Sequence, residues 1–230
     1  MNHVLAQLSP RAFERLRPHL EPVALPLGAQ IYDPGMVQDY LYFVSSGVVS
    51  LLKVTANGSA VEIAIVGREG VVGMEMFTGG GIAGWRAVVQ SPVRAFRLGA
   101  DVLQRELGAD REVEVHLLRF TEALMQQISQ TALCNRHHSI EQQFCRWLLA
   151  TIDRLGTQEL GITQALIARL LGVRREGISS AAGRLQTEGV IRYTHGRIAV
   201  LQREALENRA CECYTAVNAA YRELLYQVAR

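Results

Sequence analysis

Residues 163–201 read TQALIARLLGVRREGISSAAGRLQTEGVIRYTHGRIAVL. Thr163 is a residue type that caps helices, and apolar residues then recur at helical spacing until Gly172, which suits a tight turn. A second helix follows, in which Ile178 and Leu185 share one face. The stretch therefore predicts a helix-turn-helix, with Ile178 filling the angle between the two helices.

A short hairpin is predicted directly after this pair of helices. The segments 190–193 and 197–201 flank the sequence Thr194-His195-Gly196, which suits a tight turn between two strands. Two strands in this position form the wing of a winged helix.

The start of the second helix carries residue types that read base pairs. A recognition helix inserts its N-terminal residues into the major groove, where Arg can donate two hydrogen bonds to guanine and Glu can accept one from cytosine. A solvated, charged helix start is the alternative interpretation. The residues predicted to contact DNA are Thr163, Arg174, Arg175, Glu176, Ser179, Ser180, Arg184 and Arg197.

The N-terminal part of the chain has a different pattern. Between Val23 and Leu98, short apolar runs alternate with Gly, Pro and Asn, which predicts an antiparallel roll or barrel. Asn57-Gly58 suits a hairpin turn, and Ser9 can cap a short helix over 10–20. The predicted strands cover 30–32, 41–45, 48–55, 60–66 and 86–97, the last broken near Pro92.

The segment 110–138 is predicted to be a long helix that packs along a partner. Apolar positions alternate in steps of four and three, as in the seam of a coiled coil. A helix buried within its own chain would have the same spacing, so that alternative stays open. The predicted dimer interface is Val113, Leu117, Phe120, Leu124, Gln127 and Thr131, and the same seam continues to Cys134.

Three segments follow from these patterns: 1–109 as a sensing roll, 110–138 as the dimerisation helix, and 139–230 as the winged helix with an additional C-terminal helix. A helix from Ile140 to Leu155 is predicted to end at Gly156. The additional helix is predicted to cover the domain with one apolar face, formed by Leu206, Ala210, Cys213, Tyr214, Val217, Tyr221, Leu224, Leu225 and Val228.

Composition narrows the class of protein without deciding its function. The 230 residues are 49% apolar and 20% charged, with a net charge of +2, as expected of a globular chain. No apolar stretch reaches the roughly 20 residues that span a bilayer, and no signal peptide is recognisable. We therefore expect a cytoplasmic protein whose four cysteines are free thiols.

The chain resembles the Crp/Fnr family of transcription regulators over nearly its whole length. The similarity rests on IYDPGMVQDYLYFVSSGVVSLL at 31–52, the helix after Asp110, and GVRREGISSAAGRLQTEGVI at 172–191. It implies an α+β fold: an N-terminal antiparallel β-roll like the cyclic-nucleotide-binding jelly roll, a long dimerisation helix and a C-terminal winged helix-turn-helix. The family's recognition helix commonly has Arg-Glu and a second Arg four residues later, but Ser180 stands at that last position.

The resemblance also implies an effector site in the roll. Cyclic-nucleotide members carry a Gly-Glu-Leu cassette followed by an Arg that pairs with the cyclic phosphate. Glu75 and Arg86 are each displaced by about one position, so cyclic-nucleotide binding is not expected. These two residues could instead form a structural ion pair or meet another anionic ligand. The predicted effector pocket is Gly73, Met74, Glu75, Met76, Trp85, Arg86 and Ala87.

No metal site is predicted and an iron-sulfur cluster is not expected, while the cofactor stays unknown and a haem ligand among the six histidines stays open. Iron-sulfur members use cysteines near the N-terminus, and no cysteine precedes Cys134. Cys211 and Cys213 would point about 200° apart on a helix, which makes them a poor metal-binding pair. Cys145 and the other thiols are therefore interpreted as buried side chains.

Three classes of function remain after these steps. The first is a homodimeric, ligand-regulated protein that reads a palindromic operator. The second is a DNA-binding regulator whose roll is only a dimer scaffold. The third, an enzyme with a cupin-like metal barrel, is disfavoured because no histidine lies between residues 23 and 98. The expected partners are double-stranded DNA, a second copy of the chain, a small-molecule effector and RNA polymerase, but no membrane.

Overall fold

The computed structural model describes residues 1–109 and 111–226, with side chains described up to residue 223. Two short helices open the chain, α1 (His3–Ala6) and α2 (Pro10–Leu16). Ser9 accepts a hydrogen bond from the backbone N–H of Ala12, so the predicted cap of α2 is confirmed. One 3₁₀ turn, Arg17–His19, then leads into the first strand.

The N-terminal domain is an antiparallel roll of six strands around an apolar core. The order in the sheet is β1-β6-β3-β4, with β2 paired to β6 and β5 paired to β3. The strands are β1 (Glu21–Leu25), β2 (Gln30–Tyr32), β3 (Tyr40–Val54), β4 (Ala60–Val66), β5 (Val71–Val72) and β6 (Arg86–Gly99). A single turn of helix, α3 (Glu75–Thr78), lies between β5 and β6.

Two strands of the roll are longer than the sequence predicts. β3 is continuous where two strands were expected, and β6 runs through Pro92. The irregularity appears instead as shifts of register between the two strands around Ser46 and Val48. Gly47 lies there with φ of +85°, and an added Cβ would lie 2.2 Å from the carbonyl oxygen of Pro92. A glycine at this bulge lets the strands bend without a break.

The hairpin between β3 and β4 is confirmed. The backbone N–H of Thr55 donates to the carbonyl of Ser59 at 2.8 Å, and Gly58 has φ of +84°. This is the left-handed conformation that favours glycine in tight hairpins.

Three helices follow the roll: α4 (Ala100–Ala109), α5 (Arg111–His137) and α6 (Ile140–Leu155). The helix predicted over 110–138 is α5; its predicted first residue, Asp110, lies outside the described residues. Ser139 caps α6, and Gly156 ends it in the left-handed conformation, as predicted.

The predicted dimer seam on α5 is wrong, because that face is buried within the same chain. Phe120 is fully buried against Gly70 of the roll, where an added Cβ would lie 2.0 Å from the ring. Gln127 donates to the carbonyl of Ile65 at 3.1 Å. The alternative of an intrachain helix is therefore correct for the whole set: Val113, Leu117, Phe120, Leu124, Gln127, Thr131 and Cys134.

The opposite face of α5 carries exposed apolar side chains. Leu118 is 44% exposed, Met125 is 55% exposed and Leu133 is 45% exposed. Leu118, Met125 and exposed Ala132 follow one another at steps of seven residues along α5. This spacing puts them in one stripe, which we call the outer stripe.

The C-terminal domain is a winged helix with a second apolar core. Its strands form a small antiparallel sheet in the order β7-β9-β8. The elements are β7 (Glu159–Gly161), α7 (Gln164–Leu171), α8 (Arg175–Thr187), β8 (Ile191–Thr194), β9 (Arg197–Val200), α9 (Arg203–Glu207) and α10 (Cys213–Tyr226). The predicted α+β class, with a roll, a long helix and a winged helix, is confirmed.

The predicted single covering helix at the C-terminus is divided. Leu206 lies in α9 and Ala210 in the connection, and α10 begins only at Cys213. Val217 and Tyr221 of α10 are buried against the core of the roll. Val228 and the side chains of Leu224 and Leu225 lie outside the described residues. Within the described residues, no helix is both long and apolar enough to cross a membrane.

Candidate functional site

The helix-turn-helix is built as its sequence predicts. The Thr163 hydroxyl accepts from the backbone N–H of Leu166, which caps α7. Gly172 ends α7 with φ of +67°, and Ile178 is fully buried between the two helices. These local features fix the angle between α7 and α8.

The first turn of α8 presents its charges to solvent. Arg174 stands at the N-cap position, and Arg175 and Glu176 form the start of the helix. All three are exposed, and within the described part of the chain none of their side chains forms a hydrogen bond or ion pair. The amino end of a helix also carries partial positive charge and unpaired N–H groups. This end is therefore available to a polyanion.

Other predicted DNA contacts on α8 are engaged within the domain. Arg184 forms an ion pair with Glu141 at 2.7 Å and donates to the Ser180 hydroxyl at 2.7 Å. Ser179 donates to the Gln164 side chain at 2.6 Å. These side chains would have to exchange partners before they could bind phosphate.

The wing lies beside α8 and adds further cations. His195 and Gly196 turn the hairpin with φ of +49° and +74°, and exposed Arg197 follows them. Arg192 of the wing and Arg169 of α7 are exposed as well, although neither is among the DNA contacts predicted from the sequence. Arg192 could have been found from the alternation of side chains along β8.

The predicted effector residues are held by the roll itself. Glu75 accepts from the Gln38 side chain at 2.8 Å and from the backbone N–H of Gly84 at 3.0 Å. Arg86 forms a two-point ion pair with Asp33, at 2.7 and 3.1 Å, which lowers the pKa of Asp33. The suggested ion pair between Glu75 and Arg86 is therefore wrong.

The remaining residues of the predicted pocket are largely packed. Met74, Met76 and Ala87 are buried in the core of the roll, and Trp85 packs partly against it. Gly73 has φ of +106°, and an added Cβ would lie 2.8 Å from the carbonyl oxygen of Tyr40. The residues predicted to form the effector pocket are therefore part of the packed wall of the roll.

A buried polar junction, which the sequence did not reveal, joins the roll to α6. Glu62 is buried and accepts from the Ser50 hydroxyl and, at 2.7 Å, from the Trp147 indole. Burial raises the pKa of Glu62 to about 7. Beside it, Arg154 donates to Glu69 at 2.6 Å, which pairs two buried charges. No local sequence pattern relates these residues, since 85 positions separate the partners in each pair.

The prediction that Cys211 and Cys213 point about 200° apart on one helix is wrong. Cys211 precedes α10, so the helical angle assumed between Cys211 and Cys213 does not apply. Four potential ligands meet there, with their ligand atoms within 4.8 Å of one another: Cys134, His138, Cys211 and Cys213. Cys145 is buried in the core of the winged helix, as expected of a structural thiol.

Comparison with known proteins gives consistent matches for both domains. Residues 22–110 match the cyclic nucleotide-binding domain, and residues 142–209 match the Crp-like helix-turn-helix domain. The chain is 26% identical over 223 residues to a CRP-like cAMP-activated global transcriptional regulator of Mycobacterium tuberculosis, covering 91% of this chain and 100% of that protein.

Solved structures share the fold at low sequence identity. FixK2 from Bradyrhizobium japonicum superposes with a TM-score of 0.72 at 20% identity, over 84% of this chain and 98% of that one. The c-di-GMP-responsive global regulator CLP of Xanthomonas campestris gives a TM-score of 0.69 at 17% identity, over 84% of this chain and 99% of that one.

Proposed function

We propose that this chain, which belongs to the Crp/Fnr family of transcription regulators, is a cytoplasmic homodimer that reads a palindromic operator through α8. Members of the family bind DNA and are not enzymes. The observation that carries the proposal is the exposed sequence Arg174-Arg175-Glu176 at the amino end of α8. RNA polymerase is a further partner in this proposal, since a regulator bound at a promoter acts on transcription.

The outer stripe supports the homodimer. Leu118 and Met125 expose apolar surface on a long helix whose other face is already buried in the roll. A second copy of α5 packed on this stripe would bury it across a two-fold axis. Two α8 helices would then face successive major grooves of a palindrome.

In this proposal, residues of α8 contact base edges and residues of the wing contact phosphates. Arg175 and Glu176 contact base edges, because the first turn of a recognition helix enters the groove. Arg197 and Arg192 of the wing contact phosphates, which adds affinity without reading sequence. Ser180 cannot make the two-point guanine contact of an Arg, so the half-site should differ from the common family pattern.

Control by a small molecule is the first candidate for regulation. A cleft of about 380 Å³ separates the roll from α7, and Arg86 and Arg169 are among its lining residues. Cyclic AMP activates the Mycobacterium tuberculosis relative. In this chain, however, Arg86, which lies about one position from the family's phosphate-binding arginine, already forms an ion pair with Asp33. We therefore propose an effector other than cyclic AMP.

The second candidate is a regulator whose roll serves only as a scaffold. The packing of Met74 and Met76 into the core of the roll favours it. Native mass spectrometry of the purified dimer separates the two candidates. A stoichiometric retained small molecule supports ligand control, whereas a bare dimer that binds its operator supports the scaffold.

Selection from a pool of random duplexes tests the proposed DNA-reading function itself. The full-length chain should enrich an inverted repeat whose half-sites are about 10 base pairs apart, one helical turn from centre to centre. Enrichment of a single unrepeated motif would contradict the dimeric mode, and no enrichment over the starting pool would contradict sequence-specific binding.

A further inference from the structure

Four side chains with metal-binding atoms meet where α5 ends and α10 begins: Cys134, His138, Cys211 and Cys213. We call them the Cys₃His cluster. Its three cysteines are buried, and His138 is partly buried. We propose that the Cys₃His cluster binds one Zn²⁺ ion, and that this ion fastens the end of α5 to the start of α10.

The distances within the cluster fit a single ion. In a tetrahedral zinc site with bonds of about 2.3 Å to sulfur and 2.0–2.1 Å to nitrogen, neighbouring ligand atoms lie roughly 3.5–3.8 Å apart. The Cys134 and Cys211 sulfurs are 3.5 Å apart, and the Cys213 sulfur is 3.4 Å from Nδ1 of His138. The two sulfurs are too far apart for a disulfide, whose S–S bond is about 2.05 Å.

The local backbone explains how four ligands converge. Cys134 and His138 are four residues apart, which puts them on the same side of the end of α5. Cys211 lies in the connection before α10, and Cys213 is the first residue of that helix. The two pairs thus approach one point from separate elements, as ligand pairs do in structural zinc sites.

Surrounding side chains hold the cluster in a ligating arrangement. Nε2 of His138 is 3.1 Å from a Glu212 carboxylate oxygen, which leaves Nδ1 facing the sulfurs. A carboxylate behind a ligating histidine fixes its ring and tautomer in many zinc sites. The Gln130 side chain donates to the Cys213 sulfur at 3.1 Å. Hydrogen bonds of this kind hold the ligating side chains in place in known metal centres.

The ligand set also selects the kind of metal. Three soft sulfurs and one imidazole suit Zn²⁺, whereas Mg²⁺ and Ca²⁺ take oxygen ligands. Four protein ligands complete a tetrahedron and leave no open position, so the site is structural and not catalytic. The ion would stabilise the turn where Ser139 caps α6, because His138 directly precedes that cap.

Metal analysis of the full-length chain tests the inference. The protein, purified under reducing conditions, should contain one zinc per chain. Replacement by Co²⁺ should give the intense visible absorption of thiolate-ligated tetrahedral cobalt. Zn²⁺ alone, titrated against a chromophoric chelator, should show at least a tenfold loss of affinity in His138→Gln and Cys213→Ser.

Two matched controls and one surface variant complete the design. His137→Gln changes the exposed neighbouring histidine, and Cys145→Ala removes a buried thiol outside the cluster, so both should keep the metal. Glu212→Gln changes an exposed carboxylate and should weaken Zn²⁺ binding by about 10- to 100-fold without affecting the fold. This variant remains informative if a ligand variant does not fold.

Several results would overturn the inference. One is a folded chain that contains no stoichiometric zinc and gives no cobalt spectrum. A second is iron together with inorganic sulfide in place of zinc. A third is an equal loss of Zn²⁺ affinity in the control variants and the ligand variants. A Cys134–Cys211 disulfide as the main species in the reduced preparation would also overturn it, and would identify a redox pair instead.

Discussion

At the scale of single residues, Glu62 couples the two domains. It lies in β4, but one of its hydrogen bonds comes from Trp147 of α6. Burial raises its pKa to about 7, while the Ser50 and Trp147 hydrogen bonds and the cations of Arg146 and Arg154 act in the opposite direction. The folded protein therefore keeps this carboxyl group protonated to a higher pH than the unfolded chain does.

The raised pKa predicts how Glu62 affects stability. Between pH 4.5 and 7 the unfolded chain releases this proton while the folded chain keeps it, so the free energy of unfolding falls as pH rises through this window. Each unit of pKa difference is worth about 1.4 kcal/mol. Urea denaturation of Glu62→Gln should show a smaller fall between pH 5 and 7.5 than wild type. Parallel pH profiles of the two proteins would contradict this explanation.

Arg86 gives a second prediction at this scale. Because its guanidinium is held by Asp33 at two points, and Glu75 is held by Gln38, a cyclic phosphate would have to displace existing contacts. Calorimetry with cyclic AMP should therefore detect no binding at micromolar concentrations. Micromolar binding that is lost in Arg86→Ala would show that the roll keeps a working phosphate cradle.

At the scale of elements, α5 has two apolar faces, of which one is buried and the other is exposed. The inner face, with Leu124, completes the core of the roll, and the outer stripe, with Met125, is exposed. These two residues are adjacent in the sequence and point about 100° apart around the helix, Leu124 into the core and Met125 to solvent. They provide a matched pair for separating folding from dimerisation.

The matched pair predicts two different defects. Met125→Asp should give a folded monomer, because a charge in the outer stripe opposes its burial by a second copy. Leu124→Asp should unfold the domain, since removing a buried leucine alone costs about 2 to 5 kcal/mol. Sedimentation and thermal denaturation measure these outcomes. A Met125→Asp protein that stays dimeric would show that the outer stripe is not the interface.

The sequence revealed those elements whose contacts are local. Thr163, Gly172 and Ile178 lie within one short segment, and their residue types alone specify a helix-turn-helix. The sequence could not show which surface covers the inner face of α5. Apolar residues in alternating steps of four and three occur both in helices buried within their own chain and in helices that pack on a second chain. The Cys₃His cluster was missed because its two halves are more than 70 residues apart and Cys211 is not helical.

At the scale of the whole molecule, the roll and the winged helix meet over an extended junction. Glu62 binds Trp147, Glu69 pairs with Arg154, and an added Cβ on Gly172 would lie 3.1 Å from Val61 of the roll. The turn between α7 and α8 therefore lies against the roll. A displacement of β4 would therefore disturb the contact that supports the turn before α8.

In the proposed function, α8 reads bases while the wing holds the DNA backbone. The most direct measurement is a binding selection on randomised half-sites with wild type, Arg175→Ala and Arg197→Ala at two salt concentrations. Arg175→Ala should lose roughly 1 to 3 kcal/mol of discrimination at one symmetric base pair per half-site. Arg197→Ala should bind all sequences more weakly, keep the motif and lower the salt slope by about one. An Arg175→Ala protein that selects the wild-type motif unchanged would show that α8 does not read bases through Arg175.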